Sequence, residues 1–209
     1  MTARELEALL RLLSHYTESE IDQRTRPLRD RNLIPHGPRG ANAPHLEPHH
    51  AALVLLTMVS RRAVDAGKTA VRSAKLRLAP HRAINLPQET ELLSVLAKAF
   101  SADQPHIKRR FEALVDGSAA WVSYDQSGAL ATALFLEARA IKAATKKAHL
   151  YESTGASLCN HRFVLGEGAF ADLIGEFNRT SDKSGWRLGD DNTRALGSTD
   201  TTGAKKSST

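Results

Sequence analysis

Apolar residues recur with helical spacing at the start of the chain. Leu6, Leu9, Leu10 and Leu13 fall at i, i+3, i+4 and i+7, which predicts a helix over residues 4–15. Thr17, followed three residues on by Glu20, reads as a capping box, so a second helix should run from Glu18 towards Arg31 with Ile21, Leu28 and Leu33 turned inward. Pro27 lies inside that segment. A proline removes a backbone donor and crowds the preceding turn, so two short helices meeting near Arg26, or one kinked helix, are expected. Residues 35–48 carry Pro35, Gly37, Pro38, Gly40, Pro44 and Pro48 and read as a loop. Helical spacing returns over about 48–64, where Leu53, Leu56 and Val59 or Val64 can share a face; 65–84 reads as a helix end followed by a basic linker.

The second half changes pattern. Asn85 and Gln88 resemble a cap before a helix over about 87–101, with Leu92, Leu93, Val95, Leu96, Ala99 and Phe100 on a wide apolar face. A further helix is predicted over 105–116 from Ile107, Phe111, Leu114 and Val115, with Gly117 as its stop. Trp121, Val122 and Tyr124, then Gln126-Ser127-Gly128, then Ala129–Leu136 read as a β-hairpin. Residues 138–150 are ambiguous, His161–Leu165 suits a strand, and Phe170, Leu173, Ile174 and Phe177 suit a last amphipathic helix. From Thr180 the chain is Ser, Thr, Gly, Asp and Lys with little to bury, and a disordered tail is expected. The resulting fold class is mainly α with a small α+β part. It comprises an N-terminal winged or looped helix-turn-helix over 1–66, a basic linker over 67–85, an α+β module with a short antiparallel sheet over 86–179, and a tail over 180–209.

Charge sharpens this division. Of a net +6, all belongs to residues 1–82, which hold 14 Lys plus Arg against 8 Asp plus Glu; residues 83–209 hold 15 of each. Arg24, Arg26, Arg29, Arg31 and Arg39 crowd into one stretch, the electrostatic footprint expected of a nucleic-acid binder. The plain alternative is a solvated basic face on a helical bundle. The single cysteine, Cys159, excludes an internal disulfide and fits a reducing cytoplasmic setting. No apolar run approaches the length of a membrane span, and no secretory leader is evident.

On a helix covering 22–31, Arg24 and Arg31 stand seven apart and share a face, with Gln23 and Thr25 nearby as candidate base readers and Arg26 and Arg29 as further cations. Arginine suits a groove because its planar fork meets phosphates and guanine edges bidentately. His36 and Arg39 on the following loop are the candidate contacts to the backbone or minor groove. The run Leu28-Arg29-Asp30-Arg31-Asn32-Leu33-Ile34-Pro35 resembles the LR-x-x-G-L-I-P segment that closes the recognition helix and enters the wing in MerR-type regulators and phage excisionases. Residues 18–60 are also similar to small prophage DNA-binding proteins, through Gly37-Pro38-Arg39-Gly40, Pro44-His45-Leu46 and the apolar helix after them. The resemblance covers about the first third of the chain and implies DNA binding by a winged helix.

Other chemistry finds less support. His45 and His49 stand four apart, but Pro44 and Pro48 argue against a regular helix through them, so no metal site and no cofactor are expected. Cys159 near His161, the Gly166-Glu167-Gly168 turn, and Asp190-Asp191 carry no complete catalytic or phosphate-binding pattern, and no enzymatic activity is expected. The expected function is sequence-specific binding of double-stranded DNA, as a transcriptional regulator of phage or mobile-element type and as a homodimer through the second module. The alternatives are an accessory factor for excision or genome packaging, or a protein–protein interaction module with a basic face.

Overall fold

In the computed structural model, residues 1–35, 37, 43–79, 90–101, 110–126, 129–144 and 162–183 are described below. The chain combines helices with a five-stranded antiparallel sheet. Helix α1 spans Ala3–Leu13 and α2 spans Glu18–Asp30, joined by a four-residue turn. Both begin with a capping box: Thr2 with Glu5, and Thr17 with Glu20, the second as predicted. Each box satisfies backbone donors that the first helical turn leaves without partners.

Helix α2 runs through Pro27 as one element. Its end is a Schellman motif: the Asn32 N–H donates to Arg29 O (2.9 Å) and the Leu33 N–H to Leu28 O (2.9 Å), with Asn32 in the left-handed region at φ 54°. The chain then returns beside its own start, where His45 pairs with Thr2 in an antiparallel bridge and the Leu46 N–H donates to Met1 O at 2.8 Å.

Helix α3, Pro48–Thr57, is buried from Ala51 to its end, and the chain stays buried through Ser60. A helix apolar on every side belongs at the centre of a fold, and α3 packs against α2, α4 (Ala66–Ala74) and α5 (Leu92–Ala99). The single helix expected over 48–64 therefore stops earlier. A 3₁₀ turn, Ala63–Asp65, leads into α4, and Val64 is 68% exposed where an inward position was one of two expectations.

Residues 67–79 of the expected linker are part of the fold, and 80–85 lie outside the described residues. Helix α4 buries Ala66, Gly67, Thr69, Ala70, Ser73 and Ala74, and the short strand β1, Arg77–Leu78, joins the sheet. Strands β2 (Arg110–Leu114), β3 (Ala119–Gln126), β4 (Ala129–Leu136) and β5 (Arg162–Leu165) complete it in the order β1-β4-β3-β2-β5. The β3–β4 hairpin and β5 match the expected strands. Residues 110–114, expected in a helix over 105–116, form β2 instead. Phe111 and Ala113 are buried by alternation, and β2 is hydrogen-bonded on both sides, to β3 and β5. Such a position makes a strand the better-satisfied backbone. Gly117 ends this strand in a turn at φ 70°, and a Cβ there would meet Ser73 Oγ at 2.6 Å and Thr69 O at 3.1 Å.

One sheet face carries Phe111, Ala113, Val122, Ala133, Phe135 and Leu165 into the core. Helix α7, Glu167–Lys183, covers it with Phe170, Leu173 and Phe177, and Phe100 meets Phe177 edge-on at 5.2 Å. The other face holds a smaller cluster of Ala119, Leu136, Leu114, Trp121 and Leu134 beneath Ile141 of helix α6 (Ala138–Ala144). Helix α7 continues past Thr180, where the tail was expected to begin, to Lys183; the remainder of the tail, including Asp190 and Asp191, lies outside the described residues, as do Cys159 and His161. No helix among the described residues is long and apolar enough to cross a membrane.

Candidate nucleic-acid interface

Helix α2 presents its cations very unequally. Arg24, expected to face outward, is 3% exposed. Its guanidinium donates to Ser60 O at 2.6 Å and to Thr57 O and Arg61 O at 3.4 Å, and its Cζ stands 4.1 Å from the Tyr16 ring centroid. The C-terminal end of α3 leaves carbonyls without helical partners and carries partial negative charge. Arg24 supplies both the missing donors and the opposite charge, and the face of Tyr16 adds cation–π attraction. This arginine is a structural cap, closed to any duplex.

Thr25 is also fully buried. Its hydroxyl donates to Glu7 Oε1 at 2.6 Å and accepts from Arg29 at 3.1 Å. Arg29 in turn donates to Glu7 Oε1 at 2.7 Å and pairs with Asp22, at 24% side-chain exposure. Glu7, Thr25, Arg29 and Asp22 thus clasp α1 to α2. The expected base reader Thr25 and phosphate contact Arg29 are engaged within the fold, because α1 brings a carboxylate opposite them. Arg26 is exposed and paired with Asp22 at 2.7 Å. Burial tends to raise the Asp22 carboxyl, and the hydrogen bonds from Arg26 and Arg29 outweigh it, holding it below the usual carboxylate range. Gln23 and Arg31 are exposed as expected, while His36 and Arg39 lie outside the described residues.

Four further cations lie along a different border of α2. Arg24, Pro27 and Arg31 fall at i, i+3 and i+7 on one stripe. Arg24 reaches the carbonyls of Ser60 and Arg61, and a Cβ on Gly67 would meet Pro27 Cβ at 2.6 Å, so this stripe faces the 60–68 segment. Arg61, Arg62 and Lys68 are exposed on that segment, and Arg31 is exposed one turn beyond Pro27. None of the four makes an ion pair with a described residue. Arg72, by contrast, is engaged with Glu137 and with Asp116 O at 3.0 Å. Arg61 and Arg62 escaped the sequence reading because they fall at the end of the helix expected over 48–64, and Lys68 because it falls in what looked like a helix end and linker; the Arg-Arg pair soon after the mostly apolar run 51–59 was the available signal.

Comparison with known proteins returns no match: no family model, no curated protein and no solved structure corresponds to this chain.

Proposed function

We propose that this chain binds double-stranded DNA in a sequence-specific manner, as a transcriptional regulator of phage or mobile-element type. In this reading α1, the Ser14–Thr17 turn and α2 act as a helix-turn-helix, and the loop that leaves α2 and returns beside Thr2 acts as the wing. The observation that carries it is the group of unpaired cations, Arg31, Arg61, Arg62 and Lys68, bordering the stripe of α2 that faces the 60–68 segment. Long cationic side chains without carboxylate partners are free to displace counterions from phosphates, which supplies most non-specific affinity for a duplex. Gln23 and Arg31 are the exposed α2 residues placed for base-edge contact, and Arg26 reaches DNA by exchanging Asp22 for a phosphate. Arg24 and Arg29 hold the scaffold. Homodimerisation through the sheet-bearing half belongs to the same proposal, since two-fold symmetry lets a small reading head address two half-sites.

The test is the salt dependence of binding to a mixed duplex pool. The triple variant R31A/R61A/R62A should bind more weakly to every sequence and lose a slope of about 2–3 in log K against log salt, one phosphate contact per arginine. An unchanged slope, or no binding by the parent chain at low salt, overturns the reading. Selection of bound duplexes from a random library should return a palindrome; an asymmetric site would remove the dimer.

A further inference from the structure

Pro48 opens α3, and the residues around it converge. Glu47 is the extended N-cap (φ −78°, ψ 162°), and His49 and His50 lie in the first turn. One ligand atom from each of Glu47, His49 and His50 can be chosen so that all three lie within 4.8 Å of one another. Glu47 Oε2 stands 3.3 Å from His49 Nδ1, and the two imidazole rings are 3.8 Å apart at 44°. The prolines that argued against pairing His45 with His49 on a helix instead place Pro48 at the helix start, which gathers a different set.

The geometry points to a surface site for a divalent transition-metal ion of the zinc type, held by the Glu47 carboxylate and the His49 and His50 imidazoles, with water completing the shell. The oxygen–nitrogen separation between Glu47 and His49 matches the ligand-to-ligand edge of a tetrahedron whose bonds are about 2.0–2.1 Å. Two imidazoles with one carboxylate form a borderline donor set, suited to zinc, cobalt, nickel or copper and poorly suited to magnesium or calcium. Two terms oppose capture. The Glu47 N–H now donates to His50 Nδ1 at 3.2 Å, a bond that coordination through His50 gives up, and the helix start carries partial positive charge. The Glu47 carboxylate offsets the second. With exposed ligands and a bond to exchange, the affinity falls in the micromolar range and not lower. This site is independent of the DNA-binding reading.

The experiment is titration of the full chain with zinc at neutral pH by calorimetry, repeated with cobalt to read visible d–d absorption. One equivalent should bind in the micromolar range, and cobalt should give the intense bands of a tetrahedral site, lost on adding zinc. H49A and E47Q, which keep the His50 contact at the helix start, should each weaken that binding at least about tenfold, while H15A and H45A leave it unchanged. Circular dichroism confirms that H49A and E47Q fold. Absence of zinc binding below millimolar concentration overturns the site. So does micromolar binding that H49A and E47Q leave intact, since the ion would then sit on other histidines.

Discussion

At the scale of single residues, Arg24 shows how far a side chain's role depends on what reaches it. Its buried guanidinium meets carbonyls and an aromatic ring and has no carboxylate partner among the described residues. Replacing it with Met keeps most of the stem and removes every donor. Buried carbonyls at the α3 terminus would then lack partners, at a cost of roughly 2–3 kcal/mol. Urea denaturation of R24M should show a lower midpoint with an unchanged m-value, and DNA affinity per folded molecule should stay near that of the parent. Loss of affinity without loss of stability would return Arg24 to the interface. Asn32 offers a backbone counterpart. At φ 54° it sits where a β-carbon is disfavoured and where asparagine is better tolerated than most residues. N32G should be neutral to slightly stabilising and N32A destabilising by about 1 kcal/mol, read by the same melts.

At the scale of elements, the α1–α2 pair is held by its caps and by the Glu7–Thr25–Arg29–Asp22 clasp. Glu5 and Glu20 titrate below the ordinary carboxylate range, chiefly because the Thr2 and Thr17 backbone N–H groups donate to them, and Asp22 does so through Arg26 and Arg29. Lowered values in the folded chain mean that the unfolded chain binds more protons. The stability contributed by these groups is therefore complete above their unfolded pKa values of about 4 and is lost as pH falls through the folded ones. Thermal melts between neutral pH and roughly pH 3 should show this decline, and E20Q/D22N should flatten it. A variant with an unaltered profile would mean that other carboxylates carry the acid response. The element-level expectations for α1, α2, the β3–β4 hairpin and β5 held because each rests on local signals. The one for 105–116 failed in its described part because Phe111, Leu114 and Val115 fit helical spacing, while Phe111 and Ala113 equally fit alternation; β3 and β5 on either side decide between them.

At the scale of the whole molecule, the core does not divide where the charge does. Leu6, Ile21 and Leu56 from the basic half share one buried cluster with Phe111, Phe135 and Phe177 from the other, and α1 packs on α7 while α3 packs on α5. The segment that composition marks as a linker contains α4, buried against α2, α3 and α5. A continuous core of this kind should unfold in one step. In a W186F background, Trp121 fluorescence reports the sheet and far-ultraviolet circular dichroism reports mainly the helices; their urea transitions should coincide. Separate midpoints would restore two independent units.

What the sequence determined by itself is local: where α1 and α2 begin, which apolar residues of those helices turn inward, and that positive charge concentrates in the first 82 positions. These follow from capping chemistry, side-chain periodicity and composition, which act over a few residues or over none. The availability of each cation was decided only by the tertiary structure. Arg24 and Ser60 are 36 residues apart, and Arg29 and Glu7 are 22 apart. A guanidinium takes the strongest acceptor that packing brings within reach, and no local pattern encodes which acceptor that will be. For the same reason Arg61, Arg62 and Lys68 stand beside α2 only once the chain is folded.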